Sequence, residues 1–465
     1  MRPRNVLLTA VLPCLILLGW ALPQTAAQQQ PPPADPNAAA QPPEQSGQLV
    51  LELSRRARGQ KLKLAFPAFR GTNQLSGEAA RSARELEETV RRDLDYSGYF
   101  EIQGPDVLSG LPLSGNIQQD LSVYRSTGNQ ILLLGDVRAE GDRIVLEGRV
   151  FDLASGQAIL AKRYRGPFNV SRRIGHTFAD EVILFLTSRP GIALSTIAFT
   201  SERTGKNIKE IFLMDYDGAN QRRITGHRST SMSPAWSPNG ESVAYTSFFN
   251  GQPGIYLADI GTNRKRPVVS SGSLNTSPTF APDGRRIAFA RSLEGNVEIF
   301  TADVNGGNLR RLTNSQAIDT NPAWSPKGGE IAFTSSRAGN PHIYLMDAEG
   351  ANQRRVTFDG AYNDGVSWSP EGDLIAYASR RDGRFQIAVT NVVTLETQVL
   401  TSGPGENESP TFSPDGRKLA FTSKRGGSKQ IYVMDLDGGN LRQLTTEGSN
   451  DLADWSRVSA AGAGQ

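Results

Sequence analysis

The sequence predicts a multidomain protein: a small N-terminal α/β domain followed by a six-bladed all-β propeller closed by N- and C-terminal strands. Three observations carry this reading. A 44-residue repeat runs six times through the C-terminal part of the 465-residue chain. Each repeat holds four short strand-like runs. The repeat is also split between the two ends of this region, so the last copy completes the first.

The repeat is clearest in one element, which recurs as IFLMD 211–215, IYLAD 255–259, IFTAD 299–303, IYLMD 343–347, IAVTN 387–391 and IYVMD 431–435. A second element ends at Phe199, Tyr245, Phe289, Phe333, Tyr377 and Phe421, and an aromatic residue precedes a turn at Trp236, Phe280, Trp324, Trp368, Phe412 and Trp455. Between the first two runs lies an SP-G turn, in which proline fixes φ and glycine takes the left-handed position. Between the third and fourth lies a D-x-x-G-x-N hairpin. The first copy, Ile197 to Thr225, lacks the innermost run, and Leu452 to Ser456 supplies it. Such a joint leaves no free sheet edge.

Ahead of the repeats the chain divides by composition. Residues 1–27 have basic Arg2 and Arg4, an apolar stretch from Val6 to Leu18 and small residues at Thr25-Ala26-Ala27, which is the pattern of a secretory signal. Residues 28–47 are a Pro/Gln-rich linker with no aromatic side chain to bury. Residues 48–190 alternate between strand and helix patterns and form the α/β domain. LVLELS and KLKLAFPAF alternate as strands do. SGEAARSARELEETVRRDLDYSG is helical, with Ser76 as cap, Ala79, Ala83, Leu86, Val90 and Leu94 on one face, and Gly98 at its exit. QILLLGDVR, DRIVLEGRVFD and QAILAKRY form a meander. A second helix follows, with Ile174, Phe178, Val182 and Phe185 as its buried stripe. The propeller takes residues 191–456, and 457–465 form a flexible tail.

Charge and composition narrow the function. Lysine and arginine number 50 against 47 acidic residues, which gives no bulk electrostatic case for nucleic acid. The single cysteine, Cys14, and the three histidines, His176, His227 and His342, exclude Cys/His zinc sites by count. No nucleophile elbow, zinc-protease motif or phosphate-binding glycine loop is present, so neither catalysis, cofactor nor metal is expected. The enzyme alternative, an exported propeller hydrolase or peptidase-associated protein, calls for a catalytic domain beyond the ring, where the sequence has only SRVSAAGAGQ after Trp455; a third reading is a scaffold for another envelope partner. The repeated aromatics are expected to pack blade on blade. The repeated Asp before each hairpin is expected to serve its turn, and His227 and His342 are expected to be solvated loop residues.

The informative positions are equivalent between copies but differ in residue. Five residues before the aromatic stand Ser231, Asn275, Asp319, Asn363, Asn407 and Asn450; four before it stand Met232, Thr276, Thr320, Asp364, Glu408 and Asp451. In a propeller the loops that lead into the inner strands converge on one mouth of the channel. These residues are therefore expected to make a polar, somewhat acidic rim suited to a peptide or a partner loop.

The helix RRIGHTFADEVILFLTSRPGI, the following IAFTSER and repeats carrying SPDG, IYVMD and LT together resemble the TolB family of the periplasmic Tol-Pal system, over about residues 48 to 456. The resemblance implies a non-enzymatic, monomeric periplasmic adaptor, peripheral to membranes only through its partners. It implies binding of a Pal-like peptidoglycan-associated lipoprotein at one propeller mouth, where the family's contacting pair matches Thr320 and Asn321; Asn321 stands where the family has an acidic residue. It also implies binding of a TolA-like inner-membrane protein by the N-terminal segment that begins Leu49, Val50, Leu51, Glu52, Leu53. The joining helix, with His176 and Asp180, would couple the two.

Overall fold

The computed structural model describes residues 61–111, 116–205, 207–293, 295–403 and 405–457, together with 55 and 59. The expected signal segment, linker and Leu49–Leu53 strand lie outside the described residues.

The N-terminal domain is built on a five-stranded sheet of β1 (Leu62–Ala65), β2 (Phe100–Gln103), β3 (Ile131–Glu140), β4 (Arg143–Asp152) and β5 (Gln157–Pro167), in the order β2-β1-β3-β4-β5. β1 runs parallel to both neighbours, and β3 to β5 form the antiparallel meander read from the sequence. Helices α1 (Gly77–Tyr96) and α4 (Ser171–Thr187) share a core with one face of the sheet, in which Leu86, Val90, Leu133, Leu146, Phe178 and Val182 are buried together. Gly148 makes room for this: a Cβ there would lie 2.3 Å from the Phe178 ring. The sequence reading left out β2, α2 (Pro105–Leu108) and α3 (Ile117–Arg125); the two short helices cover Leu132, Leu134 and Phe151 with Leu108, Leu121 and Tyr124.

Three details of the helix reading are corrected. Ser76 occupies the cap position of α1, but its side chain makes no capping hydrogen bond. Ala79 is half-buried while Ala80, Thr89 and Asp93 are buried, because α1 packs against α4 and the propeller as well as the sheet. Phe185 is 51% exposed. The inward stripe of α4 instead continues from Val182 to Ile183 and Leu186, a spacing of four rather than three.

The propeller consists of six four-stranded antiparallel sheets. Its inner strands are Ser231–Trp236, Leu274–Phe280, Asp319–Trp324, Asn363–Trp368, Asn407–Phe412 and Asn450–Trp455. Apolar side chains of neighbouring blades form the cores between them, as where Ala288 and Ile299 meet Trp324, Ile331 and Phe333. Five of the six repeated aromatics are buried and Trp236 is half-buried. The repeated Asp serves its hairpin: Asp215, Asp303, Asp347 and Asp435 each accept from the Asn five residues on, at 2.6 to 2.7 Å. Asn391 holds its turn through the backbone N–H groups of Val393 and Thr394.

Blade 1 is closed by the two ends of the propeller. Asn450–Trp455 pairs antiparallel with Thr196–Ser201, from Asn450 opposite Ser201 to Trp455 opposite Ile197. Thr196 N–H donates to Ser456 Oγ and Ser456 N–H to Thr196 O, both at 2.8 Å. Trp455 Nε1 reaches Ser195 Oγ at 2.8 Å while its ring is buried among Ile197, Met214 and Leu444. We expect Trp455→Ala to cost about 3–5 kcal/mol, as loss of a buried aromatic does, by chemical denaturation of the full chain. A loss below about 1 kcal/mol would mean that the seam does not depend on this side chain.

Candidate functional site at the channel mouth

Each inner strand carries one extra residue. In blade 4, Asp319 and Thr320 face Ser335 and Thr334, whereas Ala323 and Trp324 face Ala332 and Ile331, leaving Asn321 and Pro322 opposite a single residue. The same register break occurs in the other five inner strands. The first residue of each bulge is left-handed: Ser233, Ser277, Asn321, Gly365, Ser409 and Leu452 all have φ between 48° and 69°. Leu452 is the costly member, because a branched bulky side chain disfavours positive φ. These six residues, with the prolines that follow four of them, line a central cavity of about 570 Å³.

The bulge sorts the expected rim residues into two groups. Asn275, Asp319 and Asn363 do not reach the rim; they are fully buried, as are Ser231, Asn407 and Asn450. They lock neighbouring blades together. Asn407 Nδ2 donates to Gln386 Oε1 of the preceding blade at 2.9 Å, and Asn450 Nδ2 to Gln430 Oε1 at 2.7 Å. Thr401 and Thr445 donate to the same two oxygens. Asp319 accepts from Arg337 at 2.9 Å, and Asn275 donates to the carbonyls of Pro253 and Ser271.

At the next position Asp364 and Glu408 line the cavity, whereas Thr276, Thr320 and Asp451 do not. Thr276, Thr320, Asp364 and Glu408 are half-buried, and Asp451 is buried beside them. Their acidity is partly neutralised: Lys429 Nζ lies 3.1 Å from Glu408 and 3.7 Å from Asp451, and Lys209 Nζ lies 3.4 Å from Asp451. A polar chain crosses three blades. Ser277 Oγ donates to Asn321 Oδ1 at 2.8 Å, and Asn321 Nδ2 donates to Asp364 Oδ1 at 2.7 Å; the same oxygen accepts from Thr334 Oγ1 and Gly365 N–H. Tyr362 and Phe385, edge to face at 5.4 Å, add an aromatic wall to the cavity. The sequence reading missed the left-handed residues and this aromatic pair. The recurring Ser-Pro or Asn-Pro three residues before the aromatic was the signal for the former.

The three histidines are all held inside the fold. His342, expected in a solvated turn, lies within the strand Asn340–Asp347 and is 5% exposed. It takes the slot of Gln386 and Gln430, with Asn363 Nδ2 at 2.8 Å from Nδ1 and Arg355 at 3.0 Å from Nε2. Burial, helped by the Arg355 charge, pushes its pKa down to about 4. His227 is in a loop as expected but is half-buried, with Nε2 2.9 Å from the Tyr245 hydroxyl. His176 Nδ1 lies 2.5 Å from Asp93 Oδ2, and Asp93 Oδ1 accepts from Tyr216 of the propeller at 2.5 Å. One turn along α4, Asp180 accepts from the backbone N–H groups of Ala193 and Leu194 in the joining segment. Burial pushes its pKa up to about 7. No group of three His, Cys, Asp or Glu suited to a metal occurs among the described residues.

The N-terminal domain sits at the opposite end of the ring from this mouth. Arg172 bonds Asp217 at 2.9 Å, Lys418 lies over the Tyr96 ring and Arg417 over the Tyr99 ring, all at or beside the SPDG and D-x-x-G-x-N turns. The described residues thus form a two-domain propeller protein with a polar mouth at one end and the second domain fixed to the far face.

The chain belongs to the TolB family. The TolB beta propeller domain profile matches residues 185–408 and 395–462, and the TolB amino-terminal domain profile matches 55–159. A crystal structure of TolB from Acinetobacter baumannii superposes with a TM-score of 0.74 at 28% identity, covering 86% of this chain and 98% of that one. A TolB homolog of Chlorobium chlorochromatii is 36% identical over 211 residues, 45% of this chain and 46% of the relative. The Tol-Pal system protein TolB of Geobacter sulfurreducens is 40% identical over 167 residues, 35% of this chain and 38% of the relative. The aligned stretch thus spans less than half the length of these curated relatives.

The two shifted acids and bases give opposite pH signatures. His342 is held neutral below its ordinary value of 6.5. Its contribution is therefore intact above pH 6.5 and lost as pH falls toward 4, by about 3 kcal/mol at most. The stability advantage of His342→Gln over the parent should grow across that fall. Asp180 is protonated in the fold between its ordinary 3.8 and about 7, so stability falls as pH rises across that window and levels off above it. The stability of Asp180→Asn relative to the parent should rise from pH 4 to pH 8. Urea unfolding of each variant across these ranges checks both signs.

Proposed function

We propose that this chain is a non-enzymatic periplasmic adaptor of the Tol-Pal system, binding a Pal-like lipoprotein at the propeller mouth and a TolA-like protein through its N-terminal segment. In that role it supports outer-membrane integrity, constriction during cell division and protein import. Family membership gives the system, and one observation supports the binding mode. The Ser277–Asn321–Asp364 chain joins three blades at an open mouth, where repeats that are otherwise alike present different polar side chains. Such a rim, with the Tyr362–Phe385 wall beside it, offers hydrogen-bond partners around an aromatic anchor point. Thr320 and Asn321 are the centre of this proposed contact. No helix among the described residues is long and apolar enough to cross a membrane; reaching the envelope through partners accords with that.

The direct check is calorimetric titration of the full chain with the soluble domain of the Pal-like lipoprotein from the same organism. Asn321→Ala and Asp364→Ala should each weaken binding by about tenfold or more. Deletion of residues 28–60 should abolish capture of the TolA-like protein and shift the Pal affinity. Unchanged titration by both mouth variants would move the contact elsewhere on the ring.

A further inference from the structure

Blade 2 lacks an arginine that recurs beside the inner strand in the other blades; in blade 3 Leu293 holds the usual position and Arg291 bonds Asn275 instead. In blades 1, 4, 5 and 6 the fourth residue after the second-strand aromatic is an arginine: Arg203, Arg337, Arg381 and Arg425. In blades 1, 4 and 6 it bonds the buried Asn or Asp of its inner strand. In blade 2 this residue is Phe249, and the buried partner has become Ser231. The Thr–Gln pair of the next junction has likewise become Val269 and Gly254. With no guanidinium to cover it, the hairpin tip carries Phe248, 37% exposed, and Phe249, 53% exposed. At the Phe248 position the other blades have Glu202, Ser292, Ser336, Arg380 and Lys424.

The surroundings are basic. The Phe249 ring lies 4.6 Å from the His227 ring, and Phe248 N–H bonds Thr230 O, so the tip packs on the loop that carries Arg228. Arg223 lies beside Gly226 of that loop, and Lys265 is within electrostatic range of Arg223 and His227. Their carboxylate neighbour, Glu210, is fully buried and already accepts from Thr225 and the Arg228 N–H. Arg223, Arg228 and Lys265 have no ion-pair partner among the described residues. None of these residues lines the central cavity.

We propose that this rim of blade 2 is a second docking surface, for an extended acidic peptide segment that seats an apolar side chain on Phe248 and Phe249. Two adjacent exposed aromatics packed on a loop that carries Arg228, with Arg223 and Lys265 near the same loop, complement such a segment in apolar and charged character. The surface lies at the mouth end of the ring but outside the central cavity, and its assignment does not rest on the Tol-Pal reading.

The test is fluorescence anisotropy of the full chain with a labelled peptide alternating glutamate and phenylalanine, against a counterpart with lysine for glutamate. The acidic peptide should bind and weaken with added salt; the basic one should not. Phe249→Arg, which restores the residue of four other blades, should weaken binding about tenfold or more. Arg228→Glu should weaken it severalfold, and Asn321→Ala, at the mouth, should leave it unchanged. The proposal is overturned if the parent gives no saturable signal, if the lysine peptide binds as well, or if Phe249→Arg and Arg228→Glu both bind as the parent does.

Discussion

The pairing of Asn450–Trp455 with Thr196–Ser201 is the interaction on which the rest of the structure depends. Six sheets arranged around an axis bury their faces on one another only if the first meets the last. Without this seam, blades 1 and 6 would expose apolar faces and the inner strands would not enclose a cavity. The N-terminal domain adds to the same joint. Tyr96 and Tyr99 meet Arg417 and Lys418 of blade 6, while Arg172 and Asp93 meet Asp217 and Tyr216 of blade 1. The domain therefore straddles the place where the ring is joined.

Within the closed ring, architecture and site draw on different residues of the same strand. Buried Asn side chains tie blade to blade through Gln and His, while arginines brace the buried Asn or Asp within a blade. At the left-handed bulge, and one residue earlier in blades 5 and 6, side chains line the cavity and differ between blades. The bulge lets a strand that is otherwise committed to packing present two successive residues to the cavity.

Much of the fold was legible in the sequence because its repeat is so regular. The period, the four runs per blade and the split first copy all correspond to observed sheets. The rim was only half legible. An alternating strand pattern gives no warning of an extra residue, so Asn275, Asp319 and Asn363 looked like mouth residues although they point into the blade junctions. His342 looked like a loop residue because its partner Asn363 lies 21 positions away and is brought near only by the ring. Phe185 was placed inside by a three-residue step where α4 takes a four-residue one. Nothing in the sequence alone distinguishes those two.

The seam also sets an order of events. Ser195 and Trp455 are bonded across 260 residues of chain, so the ring cannot close until residue 455 has been made. The N-terminal domain, with its local meander and helices, is complete long before then. Its Arg172 and Asp93 reach the first hairpin of blade 1, at Asp217 and Tyr216. These contacts need only the first copy of the repeat, so they are available before the strand Thr196–Ser201 has its partner.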